Sequence, residues 1–144
     1  MTPALLDVNV LIALLDRDHT RHRAARAWLE REVRHGWASC PLTQNGCIRI
    51  MSQPGYPNPL PVSQVMERLG KATQTRHHQF WPDDISLLDE AVFDRSRVEG
   101  PRQLTDLYLL ALAAQHGSRF ATFDGRIPLA AVTAAGPEHI TVVS

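Results

Sequence analysis

Three aspartates stand at positions where their carboxylates could meet in the folded chain. Asp7 follows a short apolar run, Asp124 follows the apolar segment 119–123, and Asp106 lies near the start of an apolar helical stretch. In a parallel α/β sheet, the carboxyl ends of strands and the amino ends of helices share one edge, where ligand sites form. We therefore expect the three carboxylates to converge at that edge.

A cluster of this kind implies a bound cation. Three carboxylates in close proximity repel one another and raise each other's pKa unless a positive charge compensates them. A hard divalent ion with oxygen ligands is the natural occupant, and Mg²⁺ or Mn²⁺ fits better than Zn²⁺ because no His or Cys set has tetrahedral spacing. Such an ion can activate water and neutralise a phosphate, as phosphodiester hydrolysis requires. The sequence contains no G-x-S-x-G, Walker or G-x-G-x-x-G motif.

Each aspartate also has a purely structural interpretation. Asp7 could cap the helix that follows it. Asp106 could respond to the positive end of its own helix, and Asp124 could form a turn with Gly125. Taken singly these interpretations stay open, and it is the shared edge that favours a metal site.

Apolar runs and helical periods alternate along the chain and predict the elements that position the aspartates. Short strands are predicted at 3–6, 37–40, 77–81, 119–123 and 140–143. Helices are predicted at 8–15, 19–34, 43–51, 62–73, 86–93 and 104–116. The alternation favours an α/β fold with a mainly parallel sheet, and a chain of 144 residues suits one domain spanning 1–144.

Composition excludes several classes of protein. The 15 basic and 15 acidic side chains cancel, which argues against a polycation that coats nucleic acid. The 2 cysteines form no disulfide framework and favour a reducing compartment. The longest apolar run, 107–114, is too short to span a bilayer, and the amino-terminal segment lacks the basic region of a signal peptide. We expect a cytoplasmic protein that does not contact membranes.

The segments around the three aspartates resemble the motifs of the PIN-domain superfamily. They read LLDVNVLIALL at Asp7, LTDLYLLALA at Asp106 and FATFDGR at Asp124. Their order and spacing most resemble the VapC-type ribonuclease toxins of bacterial toxin–antitoxin pairs. The resemblance implies a three-layer α/β/α fold with a central, mainly parallel sheet of four to five short strands. It also implies a Mg²⁺-dependent endoribonuclease, usually a homodimer inhibited by an antitoxin, with Asp7, Asp106 and Asp124 as the acidic metal-site and catalytic residues.

The chain departs from this family at one position. The family usually has a Glu early in the helix after the second strand, whereas residues 41–46 read PLTQNG and hold no carboxylate. We expect Gln44 or Asn45 to take its place at the rim of the site, where an amide oxygen can coordinate but brings no charge. The missing charge weakens binding of a second ion. The alternative function is therefore a catalytically weak or inactive PIN-like module that binds RNA or a protein.

Other residues near the aspartates could act at the rim. Thr122 could form a hydrogen bond in the site or merely pack in its strand, and Arg126 could contact a substrate phosphate. A run of arginines is either a solvated helix face or a rim that guides phosphates: Arg17, Arg21, Arg23, Arg26, Arg31 and Arg34. Several apolar residues are either core or a groove for an antitoxin helix: Met51, Val65, Met66 and Leu69.

Overall fold

A five-stranded parallel sheet forms the middle layer of the protein in a computed structural model, which describes residues 2–144. The strands are β1 (Ala4–Leu6), β2 (Trp37–Ser39), β3 (His78–Phe80), β4 (Phe120–Thr122) and β5 (Ile140–Val142). Their order across the sheet is β3-β2-β1-β4-β5, and every neighbouring pair is parallel. Because all strands run the same way, their carboxyl ends share one edge, and β1 lies at its centre.

Helices cover both faces of the sheet. They are α1 (Val8–Leu15), α2 (His22–Glu32), α3 (Pro41–Met51), α4 (Val62–Thr73) and α5 (Leu104–Gln115). The buried apolar side chains form two clusters: one contains Leu5, Phe120 and the inner residues of α5, and the other contains Ala4, Leu6 and side chains of α1, α3 and α4. The expected three-layer α/β/α fold is confirmed, and the sheet has five strands, within the expected four to five.

Burial follows the position of each strand in the sheet. All residues of β1, β2 and β4 are buried, as expected for strands covered on both faces. The edge strands are more open, and Phe80 and Val142 expose about half of their surface at 55% and 48%. Helix α5 is buried almost all round, from Leu107 to Ala113. Within the part of the chain that is described, no helix combines the length and the apolar character needed to cross a membrane.

The helix predicted at 86–93 is wrong, since this segment forms consecutive turns. The hydroxyl of Ser86 accepts a hydrogen bond from the backbone N–H of Leu88 at 3.1 Å, and the Asp89 carboxylate accepts one from Ala91 at 2.9 Å. Such local bonds compete with helical hydrogen bonding. Leu88 is 79% exposed, so a helix here would gain little from packing.

Helix α2 begins at His22, three residues later than predicted, because residues 16–21 form a turn of their own. The predicted helix at 19–34 therefore has a different start, and it closes in a 3-10 turn at Val33–His35. This turn connects α1 to α2, and its residues His19 and Arg21 line a surface depression beside Asp124.

Gly46 allows α3 to lie directly against the start of α1. A Cβ atom at this position would lie 2.9 Å from Cγ2 of Val8, closer than real side chains approach. The missing side chain therefore lets the first turn of α1 pack tightly, and that turn follows immediately after Asp7.

Candidate metal centre

Asp7 is fixed by the two elements that it joins. Its backbone N–H donates to the carbonyl of Ala121 at 2.9 Å, extending the pairing of β1 with β4, and its carbonyl accepts from Leu11 at 3.0 Å to begin α1. Its side chain is 7% exposed and makes no capping hydrogen bond to α1. Instead its Oδ2 accepts a hydrogen bond from Oγ1 of Thr122 at 2.8 Å. The cap interpretation is therefore not what the structure shows.

Burial raises the pKa of Asp7, the Thr122 hydroxyl and the backbone N–H of Val8 oppose that effect, and the neighbouring Asp124 charge adds to it. The cost of placing a charge away from water exceeds the gain from these donors. The ionised Asp7 carboxylate therefore lacks a positive charge in the described chain that would compensate it.

Asp106 lies in the first turn of α5 and is partly buried. Burial, followed by repulsion from Asp7 and Asp124, raises the pKa of Asp106 to about 6. Within residues 2–144, no group donates a hydrogen bond to its carboxylate and no basic side chain forms an ion pair with it. The charges of Asp7 and Asp124 therefore act on Asp106, and no positive group in the described chain compensates the Asp106 carboxylate.

Asp124 is exposed and forms a local turn. Its Oδ1 accepts hydrogen bonds from the backbone N–H of Arg126 at 2.9 Å and from Nε of Arg126 at 3.1 Å. These two bonds hold the pKa of Asp124 below its usual range. The turn interpretation is correct for this residue, and its charge also contributes to the raised pKa values of Asp7 and Asp106.

Thr122 connects two of the aspartates. Its hydroxyl donates to Asp7 and accepts the backbone N–H of Asp124 at 3.2 Å. Thr122 is 1% exposed, and its bond to Asp7 is buried while its bond to Asp124 is partly buried.

The donor set suits a hard divalent ion, although the protein does not form a complete cage for one. Across residues 2–144, no three His, Cys, Asp or Glu side chains are gathered tightly enough to enclose an ion. The available donors are oxygens only, and the pKa values of Asp7 and Asp106 are raised by burial first and by neighbouring carboxylate charge second. Small hard cations keep several waters and bind through one or two carboxylates, so an incomplete protein set is compatible with them.

The predicted rim residues on α3 have other neighbours. Nε2 of Gln44 donates to Oγ of Ser39 at 2.9 Å, and Ser39 in turn lies 2.7 Å from Nε2 of His78. Burial lowers the pKa of His78, so its neutral ring can accept the Ser39 proton. Asn45 is exposed. These contacts direct the Gln44 amide toward β2 and β3, and the role of either residue at the rim stays a prediction.

Two surface depressions meet at Asp124 and Arg126. The smaller, of about 310 Å³, extends to Asp106 and Arg102. The larger, of about 540 Å³, extends to residues of α1, of the turn before α2 and of β4's end: Asn9, His19, Arg21 and Phe123. Positive side chains thus flank the acidic residues on both sides. Sequence reasoning did not identify Asn9, Arg102 or Phe123, although Phe123 stands directly before Asp124.

The apolar residues considered for an antitoxin groove are mostly core. Met51, Val65 and Leu69 are buried, whereas Met66 is 55% exposed. A separate apolar cavity of about 350 Å³ lies between α1, α2 and α4, lined by Leu11, Leu29 and Ala72 among others, and no aspartate of the acidic edge lines it.

A family model described as PIN domain matches residues 4–133. This chain belongs to the PIN-domain family. The matched region of the PIN domain includes β1 to β4 and all three aspartates, and β5 lies beyond it. The likeness inferred from the motifs thus extends over most of the chain.

Known proteins similar to this PIN domain include three from Mycobacterium tuberculosis (strain ATCC 25618 / H37Rv). Ribonuclease VapC44 is 54% identical over 140 residues, which cover 97% of this chain and 99% of that protein. Ribonuclease VapC39 is 40% identical over 125 residues, covering 86% of this chain and 90% of that protein. Ribonuclease VapC38 is 38% identical over 125 residues, covering 86% of each.

Proposed function

We propose that this PIN domain, acting as a single domain over residues 1–144, is a VapC-type endoribonuclease toxin that hydrolyses RNA phosphodiester bonds. We propose Mg²⁺ as its metal, with Mn²⁺ as a substitute. The observation that carries this proposal is the pair of carboxylates at the carboxyl edge of the sheet, Asp7 and Asp106. Burial raises the pKa of both, and the charges of neighbouring aspartates raise them further, Asp124 for Asp7, and Asp7 and Asp124 for Asp106. The names of the similar proteins, which are ribonucleases, support the same reaction.

In this proposal Asp7 and Asp106 hold the ion directly, and Asp124 binds a second ion or acts through water. A divalent ion at this place supplies a Lewis acid that activates water and offsets charge on the phosphate. Thr122 holds Asp7 in position through its hydroxyl. Arg126 is 91% exposed and lines both depressions, so it can contact a phosphate of the bound RNA strand.

The partners in this proposal are an RNA substrate, an inhibitory antitoxin and a second copy of the chain in a homodimer, all in the cytoplasm. The relevant test of the antitoxin is co-expression with the product of the neighbouring reading frame. We expect that product to bind the PIN domain and to stop RNA cleavage. Cleavage that continues at full rate in a stable complex would argue against an antitoxin role.

The central test is RNA cleavage by the purified protein with Mg²⁺ or Mn²⁺. We expect Asp7→Asn and Asp106→Asn to lower kcat/KM by at least about a hundredfold, because each removes a charged ligand. Calorimetric titration with Mn²⁺ should show weaker binding by both variants, which is a readout independent of activity. Glu67→Gln is the matched control, since Glu67 lies on α4 in an exposed pair with Lys71. Cutting at the wild-type rate by both aspartate variants would overturn the mechanism.

One observation favours the second candidate function, a catalytically weak or inactive PIN-like module that binds RNA or a protein. Gln44 brings no charge and its amide is bonded to Ser39. Asp83, a further carboxylate at the carboxyl ends of the strands, accepts the backbone N–H of Leu42 at 2.9 Å, so it is engaged at the start of α3. This candidate predicts RNA binding without turnover at any Mn²⁺ concentration. Metal-dependent turnover that disappears in Asp106→Asn would exclude it.

A further inference from the structure

The larger depression beside Asp124 has features that the metal centre does not use. It is about 540 Å³ and open, and it is lined by Asn9, His19, Arg21 and Phe123 as well as by Asp124 and Arg126. Its lining combines cationic and aromatic side chains directly next to the proposed reaction site. Grooves with this combination bind single-stranded nucleic acid, because the cations attract the backbone and the flat groups stack on bases.

Arg21 and Phe123 form a layered pair in this depression. The guanidinium carbon of Arg21 lies 4.6 Å above the centroid of the Phe123 ring, a cation–π contact. Within residues 2–144, the Arg21 side chain has neither an ion-pair nor a hydrogen-bond partner, and the residue is exposed. The guanidinium thus lies over the ring, and its charge has no anionic partner in the described chain. Arginine planes serve as stacking surfaces for unpaired RNA bases.

The turn that presents Arg21 is ordered by its own hydrogen bonds. Oδ1 of Asp16 accepts the backbone N–H of Asp18 at 3.0 Å, and Nδ1 of His19 accepts the backbone N–H of Arg21 at 3.0 Å. The second carboxylate oxygen of Asp16 accepts a hydrogen bond from the hydroxyl of Tyr56. The turn is therefore fixed to the segment after α3, and Arg21 is held in place before any ligand arrives.

The same bonds set the tautomer of His19. Because Nδ1 of His19 accepts a hydrogen bond, the neutral ring carries its proton on Nε2. Nε2–H is then free to donate to a phosphate or base oxygen in the depression that His19 lines.

We propose that the Arg21–Phe123 pair is a stacking platform for one base of single-stranded RNA, next to the phosphodiester at the aspartates. This inference rests on the proposed function, since it names the part of the substrate that the neighbouring site holds. The base lies on the outer face of the Arg21 guanidinium, and Arg126 and His19 contact the adjoining phosphates. The platform makes Arg21 a substrate-binding residue whose planar shape matters as well as its charge.

The test uses Arg21→Lys, which keeps the positive charge of the side chain but removes its planar guanidinium. Binding is measured by fluorescence anisotropy with single-stranded RNA oligonucleotides in EDTA, so that no cleavage is required. We expect Arg21→Lys to weaken binding by about fivefold to tenfold, the loss of one stacked base, while the salt dependence stays the same. Phe123→Leu, which removes the ring but keeps an apolar side chain, should give a similar loss. Arg76→Lys is the matched control, since Arg76 is exposed in the turn before β3 at the opposite edge of the sheet.

A second readout locates the stacked base. We place 2-aminopurine at successive positions of the RNA and expect fluorescence quenching at one position in the wild type, which Arg21→Lys abolishes and Arg76→Lys preserves. If Arg21→Lys binds as tightly as the wild type and the quenching pattern is unchanged, the platform is wrong, whether or not the protein cleaves RNA. If the wild type never cleaves RNA but Arg21→Lys still loses binding and quenching, the platform stands and the proposed ribonuclease activity fails. An absence of RNA binding by the wild type would overturn both.

Discussion

The hydroxyl of Thr122 donates a hydrogen bond of 2.8 Å to the carboxylate of Asp7, across a separation of 115 residues in the sequence. The bond joins the ends of β1 and β4 at the centre of the sheet. Because the same hydroxyl accepts the backbone N–H of Asp124, one side chain fixes the relative position of two aspartates. The geometry of the acidic edge therefore depends on a residue that carries no charge.

Thr122→Val should impair the site while leaving all three carboxylates in place. The substitution removes a buried hydrogen bond, and we expect it to lower the free energy of unfolding by about 1–2 kcal/mol. Loss of a group that positions a ligand typically weakens metal binding by about tenfold, which a Mn²⁺ titration would detect. Thr122→Ser retains the hydroxyl and is the control. Equal Mn²⁺ affinity for the Val and Ser variants would contradict this role.

Asp106→Asn should make the metal-free protein more stable at pH 7.5. The pKa of Asp106 is raised from 3.8 to about 6 in the folded chain, so its ionised form is less favourable when folded. The resulting cost is absent below about pH 3.8, grows as the pH rises from 3.8 to about 6, and is complete above that. In EDTA we expect a gain of roughly 1–2 kcal/mol in the free energy of unfolding, allowing for solvent screening.

Chemical denaturation with EDTA and with Mn²⁺ checks this prediction. Saturating Mn²⁺ should stabilise the wild type more than Asp106→Asn, so that the wild type becomes the more stable of the two proteins. Glu67→Gln, which alters an exposed ion pair, should respond to Mn²⁺ as the wild type does. A less stable Asp106→Asn protein in EDTA would show that the carboxylate is not under repulsion.

Arg126→Gln should affect RNA binding and metal binding in opposite directions. Arg126 now pairs with Asp124 at 3.1 Å, so its removal leaves that carboxylate free for a cation. We expect Mn²⁺ to bind at least as tightly, while KM for RNA rises about fivefold because a phosphate contact is lost. Lys71→Gln removes an exposed positive charge on α4, which lines neither depression. It should leave both the Mn²⁺ affinity and the KM for RNA unchanged. A fall in Mn²⁺ affinity for Arg126→Gln would refute the prediction that Arg126 and a cation compete for the Asp124 carboxylate.

The partly buried His78 should make stability depend on pH below neutrality. Burial lowers its pKa from 6.5, so the unfolded chain takes up a proton more readily than the folded one. The free energy of unfolding should therefore fall as the pH drops below about 6.5. His78→Gln cannot titrate and should show a shallower decline in urea denaturation at pH 7.5, 6.5 and 5. Parallel profiles would exclude the contribution of His78.

The sequence was sufficient to predict the elements that bear the aspartates. Asp7 and Asp124 each come after a short, fully buried strand, and Asp106 lies in the first turn of a helix that is buried from Leu107 to Ala113. Strand-end placement therefore required no knowledge of distant contacts. The predicted helix at 86–93 was wrong because its polar residues bond locally to the backbone, which helical periodicity does not reveal.

Contacts between distant residues were not predictable in the same way. The Gln44–Ser39–His78 chain crosses from α3 to two strands, and the Arg21–Phe123 pair joins the turn before α2 to the end of β4. Neither has a signature in local spacing. Only the strand order, with β1 between β2 and β4, determines which of these side chains become neighbours.

The central place of β1 makes the acidic edge depend on long-range strand pairing. β1 lies beside β4, although more than a hundred residues separate the two strands in the sequence. Until β4 is in place, Asp7 lacks both the hydroxyl donor of Thr122 and the neighbouring Asp124. A fragment that ends before β4 therefore contains Asp7 and Asp106 but cannot assemble the acidic edge.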